Sequence, residues 1–171
     1  DISNIPLSRD FFKNEPIFHK KYNFYEAYLI NSRGCIYNCA FCGAAKSLNK
    51  HLTIRIKTKN SIIEEIDNLV KKYEKLDSIR ILDDLFLKDK KTIFDAIEIF
   101  ENFNLKWRSM AHTLSFTQTS VDDLKKLNNS GCFELFIGIE SGSKKILKSI
   151  HKFSNVETIK NNIRKLFKAG I

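Results

Sequence analysis

Three cysteines fall within eight residues, as Cys35-x3-Cys39-x2-Cys42. A disulfide framework spreads paired cysteines over a small secreted domain, and this spacing is unlike that. Three close thiols with no basic-then-apolar export signal ahead of them point to a metal in a reducing compartment, the cytoplasm. Zinc fits poorly, because a finger needs a fourth ligand at finger spacing. After Cys42 the next histidine is His51, and none follows until His112. A cubane iron–sulfur cluster fits better: each thiolate takes a different iron and the fourth iron stays open to an external ligand. Cys132, between Gly131 and an apolar run, reads as a small buried hydrophobe.

The other residues suited to chemistry sit in three short groups: Asp83-Asp84, His112-Thr113, and Glu140-Ser141-Gly142-Ser143. Each group follows a predicted strand. Strands are expected over 24–30, 78–82, 105–111 and 133–139, with the cysteine loop directly after the first. Helices are expected over 60–73, where Ser61 and Glu64 make an S-x-x-E box, and over 90–103, capped by Asp89. Two more are expected from Ser120, with Asp123 in its box, and over 155–169, with Gly170 as its carboxyl cap. Residues 1–23 carry both prolines, Pro6 and Pro16, without sustained periodicity, and read as a lead-in segment or linker ahead of a 24–171 domain. Four strand–helix units in a row predict a parallel sheet with right-handed crossovers. The expected fold class is therefore α/β, a partial (β/α) barrel. The chain stops at Ala169-Gly170-Ile171, where a fifth strand would begin, so an open fragment needing further units to cover its sheet is expected. In such folds chemistry collects at the carboxyl ends of the strands, and every polar group named above falls on that one edge.

Composition narrows the class further. With 171 residues, 43% hydrophobic and only 6 Gly and 2 Pro, the chain can bury one core and is neither disordered nor collagen-like. No apolar run approaches the roughly 20 residues that span a bilayer, so a membrane partner is not expected. The net charge of +9 comes largely from lysines scattered over predicted helix faces. A solvated surface explains them better than a nucleic-acid patch. His19, His51 and His151 have no partner motif, and Lys144, Lys145 and Lys152 read as a solvated helix face.

The run Ser32-Arg33-Gly34-Cys35-Ile36-Tyr37-Asn38-Cys39-Ala40-Phe41-Cys42 resembles the cluster-binding loop of the radical S-adenosylmethionine (SAM) superfamily, including the aromatic before the last cysteine. The resemblance covers nearly the whole chain. It is nearest to members carrying an upstream cobalamin-binding domain, through the lead-in Ile5-Pro6-Leu7-Ser8-Arg9-Asp10, the acidic pair in Asp83-Asp84-Leu85-Phe86, and the stretch Gly138 to Ser143. It implies a [4Fe-4S] cluster on Cys35, Cys39 and Cys42 and SAM on the open iron. Reductive cleavage of the sulfonium then yields a 5′-deoxyadenosyl radical that abstracts hydrogen from a substrate the sequence does not identify. It implies an electron donor such as flavodoxin or ferredoxin, and admits cobalamin held by a domain outside this chain.

By the same resemblance Tyr37 and Phe41 are cofactor-binding, with Phe41 near the adenine. Asp83 and Asp84 meet the methionine amino group, and Glu140 and Ser141 face the ribose or methionine end. Buried ammonium and hydroxyl groups need acceptors, which strand-end carboxylates supply. Alternation puts Glu134, Phe136, Gly138 and Glu140 on one strand face, where Gly138 lets a ligand approach the backbone. Relatives place an arginine a few residues after the third-strand tryptophan, where this chain has His112. Either His112 takes over a polar contact or the SAM carboxylate is met by another group, and alternation does not decide which way Arg108 faces. Two other readings stand beside this one. One is a methylthiotransferase acting on tRNA or protein; the other is a non-catalytic iron–sulfur or zinc module that holds nucleic acid.

Overall fold

Alternating apolar residues build a five-stranded sheet, and helices with apolar stripes cover one of its faces. The computed structural model describes residues 2–3, 9, 15–51, 54–153 and 155–171. Of the lead-in Ile5 to Asp10, only Arg9 is among the described residues.

In chain order the elements are β1 (Ile17–His19), β2 (Phe24–Leu29), β3 (Ser32–Arg33), β4 (Arg55–Ile56), α1 (Lys59–Lys72), β5 (Ser78–Ile81), α2 (Lys90–Phe100) and β6 (Lys106–Ala111). A 3-10 turn (Thr113–Phe116) follows, then α3 (Val121–Asn129), β7 (Cys132–Ile137), α4 (Lys144–Ser149) and α5 (Val156–Lys168). The main sheet has the order β1-β2-β5-β6-β7. Strands β2, β5, β6 and β7 are parallel, as the strand–helix rhythm predicts, while β1 adds antiparallel to the outer edge of β2. The segment read as lead-in thus contributes a strand. Its Glu15 accepts the backbone N–H of Tyr28 and pairs with Arg9, so the segment is tied to the sheet.

Register places Ala27, Ile79 and Trp107 in one row. With Leu29, Ile81 and Cys132 they are buried against Ile66, Leu69, Ile93, Phe100, Leu124 and Leu127 of the helices. Trp107 stacks on Phe100 with ring centroids 4.7 Å apart, and its Nε1 donates to the Ser130 carbonyl. Such an aromatic pair contributes about 0.5–1.5 kcal/mol beyond the area it buries. Cys132 is fully buried here, and burial pushes its thiol well above the ordinary range.

The opposite, inner face carries charge. Arg108 follows Trp107 along β6 and so faces this side, and a register shift brings Glu134 of β7 opposite it. There its guanidinium clamps Glu26 at 2.6 and 2.7 Å and Glu134 at 2.8 Å. Tyr22 donates to the other Glu134 oxygen at 2.6 Å. Arg108 is therefore committed to the sheet.

Asp89 and Ser120 cap α2 and α3 as expected. The expected Ser61–Glu64 box is replaced. Thr58 caps α1 by accepting the Ser61 N–H, because the chain turns helical as soon as it leaves β4. Helix α4 and strands β3 and β4 are too short to show a period in sequence. Strand β7 ends at Ile137, two residues before the expected 139.

Candidate cofactor site

The two-residue strands β3 and β4 pair antiparallel, Ser32 with Ile56 and Arg33 with Arg55, and form a stem that closes the loop bearing the cysteines. Below the stem, the Lys57 N–H donates to the Asn31 carbonyl at 2.9 Å. At the loop's entry Gly34 has φ +95°, a left-handed conformation that disfavours any side chain and explains glycine before Cys35. Inside the loop, turns hold the thiols: Cys42 N–H donates to Cys39 O, and Lys46 N–H to Tyr37 O.

The acidic pair after β5 fastens this loop to the sheet. Asp83 is buried, and its two oxygens accept the Asn31 N–H and the Ser32 hydroxyl, each at 2.7 Å. Burial raises its pKa against the pull of these donors. Asp84 is exposed and accepts the Gly34 N–H at 2.8 Å. Each Asp83 oxygen thus already takes one donor within the chain, and the carboxylate positions the loop. Asp84 retains one oxygen outside that clamp.

Burial is the main reason the Cys35 thiol lies above its ordinary range, and the neighbouring Cys42 and Cys39 thiols push in the same direction. The three are therefore electrostatic neighbours. Among the described residues no three His, Cys, Asp or Glu side chains converge tightly enough to grip one ion. A cubane takes each thiolate on a separate iron and so accepts a wider set. The donor set fits a cluster held by three thiols.

Across from the thiols, the other predicted residues meet. Tyr37 stacks on His112 with centroids 3.8 Å apart. The loop is pinned to the far side of the sheet by Ala40 N–H donating to Ile150 O at 2.9 Å. Glu140, with φ +64°, folds back to pair with Lys152 at 3.1 Å. A Cβ on Gly138 would lie 2.3 Å from the Glu140 Oε1, so the space expected for a ligand over Gly138 holds that carboxylate. Lys152 Nζ also sits 5.8 Å from the exposed Phe41 ring. The Ser141 hydroxyl accepts the Ser143 N–H at 3.0 Å and braces the turn into α4.

Lys152 is the residue the sequence pattern misplaced. It lies beyond the end of α4, after His151 at φ +55°, and its side chain is 9% exposed instead of sharing the solvated face of Lys144 and Lys145. No spacing signal marks it, since the left-handed turn that brings it inward falls on an ordinary residue.

His112 completes the group. Its Nδ1 accepts the Leu114 N–H at 3.2 Å, which leaves the proton on Nε2, a buried donor without an acceptor. A buried polar atom of this kind is a position a cofactor oxygen would satisfy. Burial, then the charge of Lys152, lower its pKa to about 4. Folding stability should consequently be greatest above pH 6.5 and fall as pH drops toward 4, where the unfolded chain binds a proton that the folded one refuses. The loss across that window should approach about 3 kcal/mol. Urea midpoints between pH 4 and 7 check it: His112→Gln should flatten the slope, and an unchanged slope would assign the pH dependence elsewhere.

A parallel α/β sheet with three thiols on the loop after its first parallel strand, opposite a polar cofactor edge, defines an iron–sulfur protein of partial-barrel type. The chain belongs to the Radical SAM superfamily, whose model matches residues 29–171. That family uses a [4Fe-4S] cluster and SAM. The chain is 31% identical over 126 residues to an uncharacterised methyltransferase of Pyrococcus horikoshii, covering 72% of this chain and 26% of the relative. It is 27% identical over 152 residues to the ribosomal protein uS12 methylthiotransferase RimO of Clostridium botulinum, covering 84% and 33%. The cobalamin-dependent S-adenosylmethionine radical enzyme OxsB shares the fold, with a TM-score of 0.71 at 23% identity over 84% of this chain and 22% of that one. The chain thus spans about a quarter of the length of the relatives it matches first. No helix among the described residues is long and apolar enough to cross a membrane.

Proposed function

We propose that this chain is the amino-terminal part of the catalytic core of a radical-based transferase that cleaves SAM reductively. The observation that carries it is the meeting of the Cys35, Cys39 and Cys42 loop with Tyr37, Phe41, His112, Glu140 and Lys152 on the carboxyl edge of one parallel sheet. When bound, the cluster supplies one electron to the SAM sulfonium and releases a 5′-deoxyadenosyl radical. The protein's own work is to bind and orient. Cys35, Cys39 and Cys42 hold three irons and leave the fourth for SAM. Lys152 offers an ammonium to the SAM carboxylate, which answers the absence of the arginine seen in relatives. Glu140 accepts from the ammonium or ribose, the His112 Nε2–H donates to a cofactor oxygen, and Phe41 packs against the adenine.

The relatives' names favour transfer of a methyl or methylthio group, and cobalamin, as in OxsB, would be held outside this chain. The electron comes from a low-potential carrier such as flavodoxin or ferredoxin, in the cytoplasm. Anaerobic reconstitution of the full-length protein tests the proposal: reduced enzyme should convert SAM to methionine and 5′-deoxyadenosine. A protein that loads iron and sulfide but never cleaves SAM would be a binding module instead.

Two substitutions probe the cofactor edge. Glu140→Gln and Lys152→Met should each weaken SAM binding by about ten- to a hundredfold with iron content intact, since a charged hydrogen bond contributes roughly 1.5–3 kcal/mol. Calorimetric SAM titration reads this directly, and wild-type affinity in both variants would return the pair to a structural role.

A further inference from the structure

Against the cysteine loop lies a cavity of about 550 Å³, whose wall includes Cys35. Arg33, Lys46, Lys50 and Arg55 surround it, and all four are exposed. None of them has an ion pair or a side-chain hydrogen bond among the described residues. The single acid on the wall, Asp84, is turned to the Gly34 N–H. Ile36 and Ile54, 43% and 36% exposed, form an apolar middle between the cations. Tyr37, Phe41, His112, Glu140 and Lys152 take no part in this wall.

We infer that this basic concavity is the docking surface for an acidic one-electron carrier protein, which reduces the cluster through the loop that bears Cys35. The inference rests on the proposed function and names its partner's landing site. Four like charges around one hollow repel each other in the free protein, and an acidic face relieves that repulsion. A site built for a small anion would bury at least one cation, and none is buried here. Exposed charges around an apolar centre suit instead a small, transient contact steered by long-range attraction. Position supplies the second reason. A partner seated here touches the loop at an iron ligand, where electron tunnelling is shortest, and leaves Tyr37, Phe41, His112, Glu140 and Lys152 uncovered. In the step, the reduced carrier gives up one electron and leaves oxidised by one, while the oxidised cluster becomes reduced by one.

The test uses the full-length, cluster-loaded protein with reduced flavodoxin as the carrier and reduced methyl viologen, a small cation, as the control. Carrier affinity by calorimetry and the rate of cluster reduction should both fall as salt rises. Lys46→Glu/Lys50→Glu, and the same pair with Arg55→Glu, should lower both by about tenfold or more at low salt. Reduction by methyl viologen should be unchanged or faster in the same variants. Salt-independent carrier binding in the wild type overturns the inference without any variant, as does a full carrier rate in the charge-reversed proteins. Patch-dependent binding of RNA that displaces the carrier at stoichiometric concentration would overturn it in favour of a nucleic-acid surface. Salt-dependent carrier reduction without SAM cleavage would leave the docking surface standing and remove the proposed function.

Discussion

Cys35→Ala, Cys39→Ala and Cys42→Ala should each leave iron and labile sulfide at background after anaerobic reconstitution, while Cys132→Ala should load iron near the wild-type level. The difference follows from place, since all four residues have the same chemistry. Three thiols share one stem-closed loop and lie within electrostatic reach of each other. Cys132 is fully buried in the row of Trp107, on the helix-covered face of the sheet. Its loss removes packing only, a cost of about 1 kcal/mol. Iron and sulfide assays on the four variants decide the matter. Equal loss in Cys132→Ala would mean that the ligand set is wrong.

Arg108→Met should lower unfolding free energy by about 3–5 kcal/mol, the range for removing one partner of a buried charge pair. Glu26 is fully buried, and three of its four contacts to protein donors come from the sheet's inner face: Arg108 Nε, Arg108 Nη2 and the Ser78 hydroxyl. Without the guanidinium its carboxylate keeps only the weak Ser78 bond at 3.3 Å and the contact to the His19 Nε2 at 3.0 Å. Replacing Glu26 and Glu134 by Gln in the same chain should recover much of the loss, because no buried charge then stands alone. Urea denaturation of the single and triple variants measures both effects. A loss below about 1 kcal/mol in Arg108→Met would show that water enters the inner face and solvates Glu26.

Much of this molecule is legible before folding because its signals are local. The spacing of the three cysteines, the caps at Asp89 and Ser120, and the short apolar runs around β2 and β7 each need only a few neighbouring residues. The parts that escape depend on contacts between distant segments. Ser32–Arg33 and Arg55–Ile56 make a ladder of two residues each, too short to leave a period. Arg108 finds Glu26 and Glu134 on two other strands, partners that its own strand does not name. Asp83 holds Asn31 and Ser32, which lie far from it along the chain. Lys152 reads as surface until a left-handed residue swings it against Glu140.

The β3–β4 stem has a consequence for how the molecule tolerates change. A loop closed at its base by a ladder, and clamped there by Asp83 and Asp84, transmits little of its own length to the sheet. Closing a longer loop costs only about 0.6 kcal/mol for each doubling. Residues between Asn49 and Ile54 can therefore be added or exchanged while Cys35 and the strand ends hold their places. Lys50, which lies in that interval, is for that reason free to be retuned to a new partner without redesigning the iron site beneath it, while Arg55 stays fixed in the stem.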